Sequence, residues 1–405
     1  MKEFYTYTLP NGLRGIHRQV KSSVAHCALM INGGTRDELQ GEFGLAHFTE
    51  HALFKGTEHR RAYHINCRLE NLGGELNAFT TKEDTTIHAT TLKGDFRKAV
   101  ELIADVALHS TYPEHEIQRE KEVIYDEINS YKESPSESIF DSFEDMLLAG
   151  SELGHGILGT KRDIKRYNGD SIRRFTKRLY TSDQMVFSSI GNLSVKSVEA
   201  IVAQYFGAME STKRDFERVK PLVVAPFSVC VGKRTHQNHT IIGSRGYTMH
   251  ESRRLPLALL VNILGGPSAN SRLNMVVRER HALTYSIEAN YTPYSDCGIF
   301  SIYFSSEKAN TDHAIELVHK EMDSLCKSPL TARQLSMAKR QFIAQMAISM
   351  ESNEGYMLGV GKSFMVHNSV DTAEEVYRKI LDISSEELLE VARETMSSTS
   401  MLMYK

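Results

Sequence analysis

The sequence predicts an α+β protein built from two related domains. Three observations point there. The chain has 405 residues, enough for two or three domains. Its 41% hydrophobic and 24% charged residues are ordinary globular composition. Strand-like and helix-like stretches also follow one another in an order that recurs in the second half of the chain.

The first half reads as hairpin, strand, helix, helix, strand pair, then helices. Gly73 and Gly74 make a tight turn before the strand "ELNAFT", which carries Asn77. A long helix is expected over "PEHEIQREKEVIYDEINSYKE" (113 to 133). It has Pro113 just inside its start, early acids, and apolar Ile117, Val123, Ile124 and Ile128. The charged mixture "STKRDFERVKPLVVAPF" reads as the connection, which gives domains at 1–212 and 226–405 with a linker at 213–225.

A similar order then returns: strand "HTIIGSRGY", helices "RRLPLALLVNILGG" and "SRLNMVVRERHA", strands "TYSIEANYT" and "GIFSIYFSS", and further helical stretches. The repeat is architectural rather than literal. The "HQNH" stretch has metal-like letters, but on a strand His236 and His239 point to opposite faces.

The chemistry concentrates in "GLAHFTEHALFKGT" (44 to 57), which holds His47, Glu50 and His51. On a helix each residue advances about 100°, so with His47 at the origin Glu50 falls near about 300° and His51 near about 40°. All three share one face. Two imidazoles at i and i+4 can grip one zinc ion, and a carboxylate on the same arc can serve as general base. A catalytic zinc site usually needs a third protein ligand. Glu120 and Glu127 are the best-placed candidates; seven residues apart, they lie on one stripe of the 113–133 helix. Spacing alone does not bring that helix to the first.

A net charge of -3 gives no reason to expect nucleic acid. No stretch approaches the roughly 20 apolar residues of a membrane span, and the N-terminal residues lack a signal peptide's apolar centre, so a cytoplasmic protein is expected. Five cysteines without CxxC spacing fit free thiols.

The HxxEH motif with its downstream Glu pair resembles the inverted-zincin family of pitrilysin, insulin-degrading enzyme and mitochondrial processing peptidase. The similarity extends through "TLPNGLRGIHRQV", "GGTRDE", "NLGGELNAFTTKEDTTIHATTL" and "GHGILGTKRDIKRYNGDSIRRFTKRLYTSDQMVFSSIGNLS", in the expected order.

The resemblance implies two domains, each a largely antiparallel sheet backed by helices, facing each other as a clam-shell. It implies a zinc endopeptidase of short or unfolded peptides with one Zn²⁺ per chain held by His47, His51 and Glu127. Glu50 becomes the general base on a zinc-bound water and Glu120 a residue that orients a ligand. Asn77, Arg278 and Tyr285 match substrate-contacting positions, the last two as oxyanion donors from the second domain. There the apolar "LALLV" (257 to 261) stands where the metal residues stood, so that domain binds no metal. Chains of this length in the family imply a homodimer, or a heterodimer with a zinc-free paralogue. The alternative is a non-catalytic subunit, against which the presence of every ligand position weighs.

Overall fold

The computed structural model describes residues 3–405. The chain forms two compact units, and neither is continuous in sequence. Unit 1 comprises the residues up to Asn129, His155–Arg218 and Ser349–Val370; unit 2 comprises Ser130–Gly154, Val219–Ile348 and Asp371–Lys405. The expected boundaries therefore differ at two segments, 130–154 and 349–370, each of which belongs with the other half of the chain.

Among the described residues eleven strands form two sheets. In chain order they are β1 (Tyr5–Thr8), β2 (Arg14–Gln19), β3 (Val24–Ile31), β4 (Glu75–Thr80), β5 (Thr85–Leu92), β6 (Met185–Gly191), β7 (Ser228–Val231), β8 (Asn238–Gly246), β9 (Ile287–Pro293), β10 (Gly298–Ser306) and β11 (Ser400–Tyr404). The sheet of unit 1 runs β1-β2-β6-β3-β5-β4, and only the β2–β6 pair is parallel. The sheet of unit 2 runs β7-β11-β8-β10-β9, and only β7–β11 is parallel. From β2 onward the first order is reproduced by the second, pair for pair. Both sheets are largely antiparallel, and the duplication holds in topology although the residues differ.

Each sheet is covered on both faces, and strand periodicity shows how. Along β3, Cys27, Leu29 and Ile31 join the core that includes the helix Phe96–Leu108, while Ala28 and Met30 point the other way. That second face meets Met357, Val360, Phe364 and Met365 of the helix Asn353–His367. In unit 2 Phe300, Ile302 and Phe304 of β10 pack with the helices Arg254–Gly265, Thr311–Lys327 and Ser385–Met396. Ile299 and Tyr303 turn to Ile139, Phe143 and Leu147 of the helix Pro135–Leu147. One face of each sheet is thus closed by a helix contributed by the distant half of the chain.

The close fit of Asn353–His367 depends on Gly361. A Cβ there would stand 2.5 Å from Met30 Sδ and 2.7 Å from Ser188 Cβ. The Ser188 hydroxyl donates to the Met357 carbonyl at 2.9 Å. Truncating fully buried Phe143, which seats the other exchanged helix, would cost about 3–5 kcal/mol.

The start of the expected linker is anchored in unit 1. Arg218 forms a two-pronged contact with Asp37, Nε to Oδ1 at 2.9 Å and Nη2 to Oδ2 at 2.7 Å. Beside it Arg36 meets Glu83 at 2.6 Å. All four side chains are nearly buried, so removing one partner would leave an uncompensated charge, typically costing about 3–5 kcal/mol. Among the described residues no helix is long and apolar enough to cross a membrane.

Candidate metal centre

The motif helix is Leu45–Leu53. Leu45, Phe48, Ala52 and Leu53 are buried in the core of unit 1 and fix which face of the helix looks inward. His47, Glu50 and His51 occupy the remaining arc. The start is built by Gly44, whose φ of 85° is left-handed, and a Cβ there would meet the Leu158 carbonyl at 2.6 Å. Glu38 of "GGTRDE" caps the same end. Its Oε2 accepts from Gly44 N at 3.0 Å and its Oε1 from Ala46 N at 2.7 Å.

The second helix is Glu114–Glu133, beginning just after Pro113. Ile117, Ile124 and Ile128 are buried as the periodicity predicts. Val123 is 51% exposed and lies off that stripe; it is apolar without being part of the core.

Glu127 comes to both histidines. His47 Nε2 lies 3.6 Å from Glu127 Oε1, and His51 Nε2 lies 3.7 Å from Oε2. One potential ligand atom from each of the three residues falls within 4.8 Å of the others. Burial, with the neighbouring His51 adding to it, pushes His47 down to about 3, so its ring is neutral and its contact with Glu127 is no ion pair. Donor atoms about 2.1 Å from a tetrahedral zinc ion stand about 3.4 Å apart. The observed separations and the two-imidazole, one-carboxylate donor set fit that ion.

The two rings are held differently. His51 Nδ1 lies 2.8 Å from Glu120 Oε1, whose other oxygen is 2.5 Å from Lys55 Nζ. His47 Nδ1 is buried and has no hydrogen-bond partner among the described residues, so no hydrogen bond at that nitrogen orients the ring. Burial alone would lower His51, but the hydrogen bond and charge of Glu120, with Glu127 and Glu50, more than reverse it. Burial alone would raise Glu120; His51 and Lys55 reverse that and hold its carboxyl below the usual range. Glu50 is raised, chiefly by burial, with Thr80 and His51 pulling back.

Asn77 is exposed on β4, the edge strand of its sheet, beside which the motif helix packs. Arg278 and Tyr285 belong to unit 2. They line one cavity of about 400 Å³ together with Gln237, Glu307 and Asn310. Tyr285 is 85% exposed, and Arg278 Nε is 3.7 Å from Glu279 Oε1. The wide-turned helix Asn274–Arg280 and Ala282, at φ 50°, bring both residues to this cavity. In the second metal-motif equivalent, Leu257, Leu259, Leu260 and Val261 are core. His239 donates to or accepts from the Tyr303 hydroxyl at 2.8 Å.

Lys55 and Glu38 escaped the sequence reading. Lys55 stands four residues past His51, a helical spacing that could have singled it out. Glu38 carries no comparable signal, because capping from six to eight residues upstream depends on the intervening loop.

A repeated sheet-and-helix unit, one copy bearing HxxEH opposite a distant glutamate, is the arrangement of the inverted zincins. Residues 16–161 match the family model "Insulinase (Peptidase family M16)" and residues 166–342 match "Peptidase M16 inactive domain". The chain is 31% identical over 393 residues to the uncharacterized zinc protease YmxG of Bacillus subtilis, covering 96% of this chain and 94% of that one. It belongs to the M16 peptidase family. It is also 27% identical over 404 residues to a probable mitochondrial-processing peptidase subunit beta of Schizosaccharomyces pombe, covering 96% and 88%. Among solved structures it resembles a peptidase M16 inactive domain from Pseudomonas fluorescens, with a TM-score of 0.92, 19% identity, and 99% and 97% of the two chains covered. A protease from Helicobacter pylori gives 0.90, 20% identity and 99% of each chain. These last two likenesses concern the fold.

Proposed function

We propose that the protein is a zinc endopeptidase acting on short or unfolded peptides, with one Zn²⁺ per chain. The observation that carries this reading is the convergence of His47 Nε2, His51 Nε2 and the Glu127 carboxylate on one point, with Glu50 on the same helical face. His47, His51 and Glu127 would hold the ion; when bound, zinc supplies a Lewis acid that polarises the scissile carbonyl and makes water more acidic.

The remaining work falls to side chains. Glu50, raised by burial, is tuned toward taking a proton from the attacking water and returning it to the leaving amine nitrogen. The free edge of β4 can pair with an extended peptide, with Asn77 beside it. Arg278 and Tyr285 are the proposed donors to the carbonyl oxygen as negative charge develops there. The protein acts as a homodimer or with a zinc-free paralogue; the Schizosaccharomyces pombe relative is itself named as a subunit.

Incubation with a quenched peptide library tests this. Cleavage that stops with a chelator and returns with zinc is expected. Parental zinc content with no cleavage of any peptide, alone or with a paralogue, would instead favour the non-catalytic subunit.

A further inference from the structure

We infer that Lys55 is a positioning residue of the metal centre, fixing the tautomer and rotation of His51 through Glu120. This rests on the reading of His51 as a metal ligand. The contacts form a chain of three links: Lys55 Nζ to Glu120 Oε2 at 2.5 Å, Glu120 Oε1 to His51 Nδ1 at 2.8 Å, and His51 Nε2 to Glu127 Oε2 at 3.7 Å. Glu120 has two oxygens, and each is used once.

The geometry sets the direction of the hydrogen bonds. An ammonium can only donate, so Oε2 accepts from Lys55 and the carboxylate stays an acceptor at Oε1. His51 must then donate through Nδ1–H, which in the neutral ring leaves its Nε2 with a lone pair facing Glu127. Lys55 also supplies the cation that balances a carboxylate only 7% exposed. Ordinary exposed ion pairs hold little, but this one shares its acid with a ligand ring.

The turn after the motif helix places Lys55. Its amide donates to the Ala52 carbonyl at 3.2 Å, a tighter three-residue turn that carries the chain two residues beyond Leu53. His51 and Lys55, four residues apart, therefore reach the same carboxylate from one side of the helix. The other ring needs no such tether: the His47 side chain is 10% exposed and clamped by packing, whereas that of His51 is 23% exposed. One of the two rings is thus set by the core and the other by the Lys55–Glu120 pair.

Two variants separate positioning from folding. Lys55→Met removes the ammonium and keeps most of the stem; Lys55→Arg keeps a cation that can still donate to Glu120. Zinc affinity by chelator competition should fall about 10- to 100-fold in Lys55→Met and recover most of that loss in Lys55→Arg. The visible spectrum of the cobalt-substituted protein should shift in the first and return toward the parent in the second. Nitrogen-15 NMR of the metal-free parent should show His51 carrying its proton on Nδ1, and Lys55→Met should lose that single tautomer. Parental zinc affinity and cobalt spectrum in Lys55→Met would overturn the inference, as would a neutral His51 in the parent that carries its proton on Nε2 alone. Peptide cleavage is no part of the readout, so an inactive parent would count against the peptidase reading alone.

Discussion

Glu120 and Glu127, seven residues apart on one helix, address opposite nitrogens of the same ring: Glu120 Oε1 lies 2.8 Å from His51 Nδ1, and Glu127 Oε2 lies 3.7 Å from His51 Nε2. Only Glu127 also faces His47, at 3.6 Å. One carboxylate therefore sits where an ion shared by both histidines would bind, and the other sits behind His51, one of its proposed ligands.

That division predicts different costs. His47→Ala, His51→Ala and Glu127→Gln should each lower zinc from about one ion per chain to near none, because two remaining ligands compete poorly with water. Glu120→Gln should retain the ion with about 10- to 100-fold weaker affinity. Elemental analysis after dialysis decides the matter. Full zinc in Glu127→Gln with none in Glu120→Gln would reverse the assignment.

Glu50 shares the helix face with the histidines but is proposed to move protons rather than to ligate. Glu50→Gln should keep its zinc and still bind peptide while losing most turnover. Loss of metal in this variant, read by the same elemental analysis, would make Glu50 a ligand and empty the general-base role.

The motif and the carboxylate pair were legible because helical spacing alone places His47, Glu50 and His51 on one arc and Glu120 and Glu127 on one stripe. Periodicity shows which face of a helix is buried, but not against what. That is why the helices Pro135–Leu147 and Asn353–His367 were not assigned to the sheets they cover. Arg218 illustrates the same gap: within a charged, solvent-like stretch nothing distinguishes the one arginine that pairs with buried Asp37. Lys55 and Glu38 act through residues that only the folded chain brings close.

Glu38 gives a pH dependence with a defined sign. Burial pushes its carboxyl up to about 7, against the hydrogen bonds of His155, Ala46 and Gly44. His155 Nε2 lies 2.7 Å from Oε2, Lys82 donates to the His155 carbonyl, and Tyr167 stands close enough to feel the charge. The folded value lies above the unfolded one of about 4.5, so the folded state holds this proton more tightly. The contribution is full below that unfolded value and is lost as pH rises through the folded one. Thermal or denaturant unfolding of the metal-free protein should show the parent losing up to roughly 3 kcal/mol relative to Glu38→Gln across this window. Stability curves that stay parallel from pH 4.5 to 8 would mean that the buried carboxyl is ionised throughout.

Arg278 and Tyr285 test whether the metal-free unit takes part in the chemistry. They share a cavity, and Tyr285 is so exposed that its hydroxyl contributes nothing to the core. Tyr285→Phe should therefore leave zinc content and melting temperature near those of the parent. If the hydroxyl donates to the developing oxyanion, kcat should fall by roughly 10²- to 10³-fold, the range for loss of one such donor. Arg278→Lys keeps the charge but loses the planar fork, so a clamp on a substrate carbonyl should weaken too. Steady-state kinetics on a peptide selected from the library reads both. Parental kcat and KM in the two variants would make the pair structural, and the catalytic apparatus would then reside in unit 1 alone.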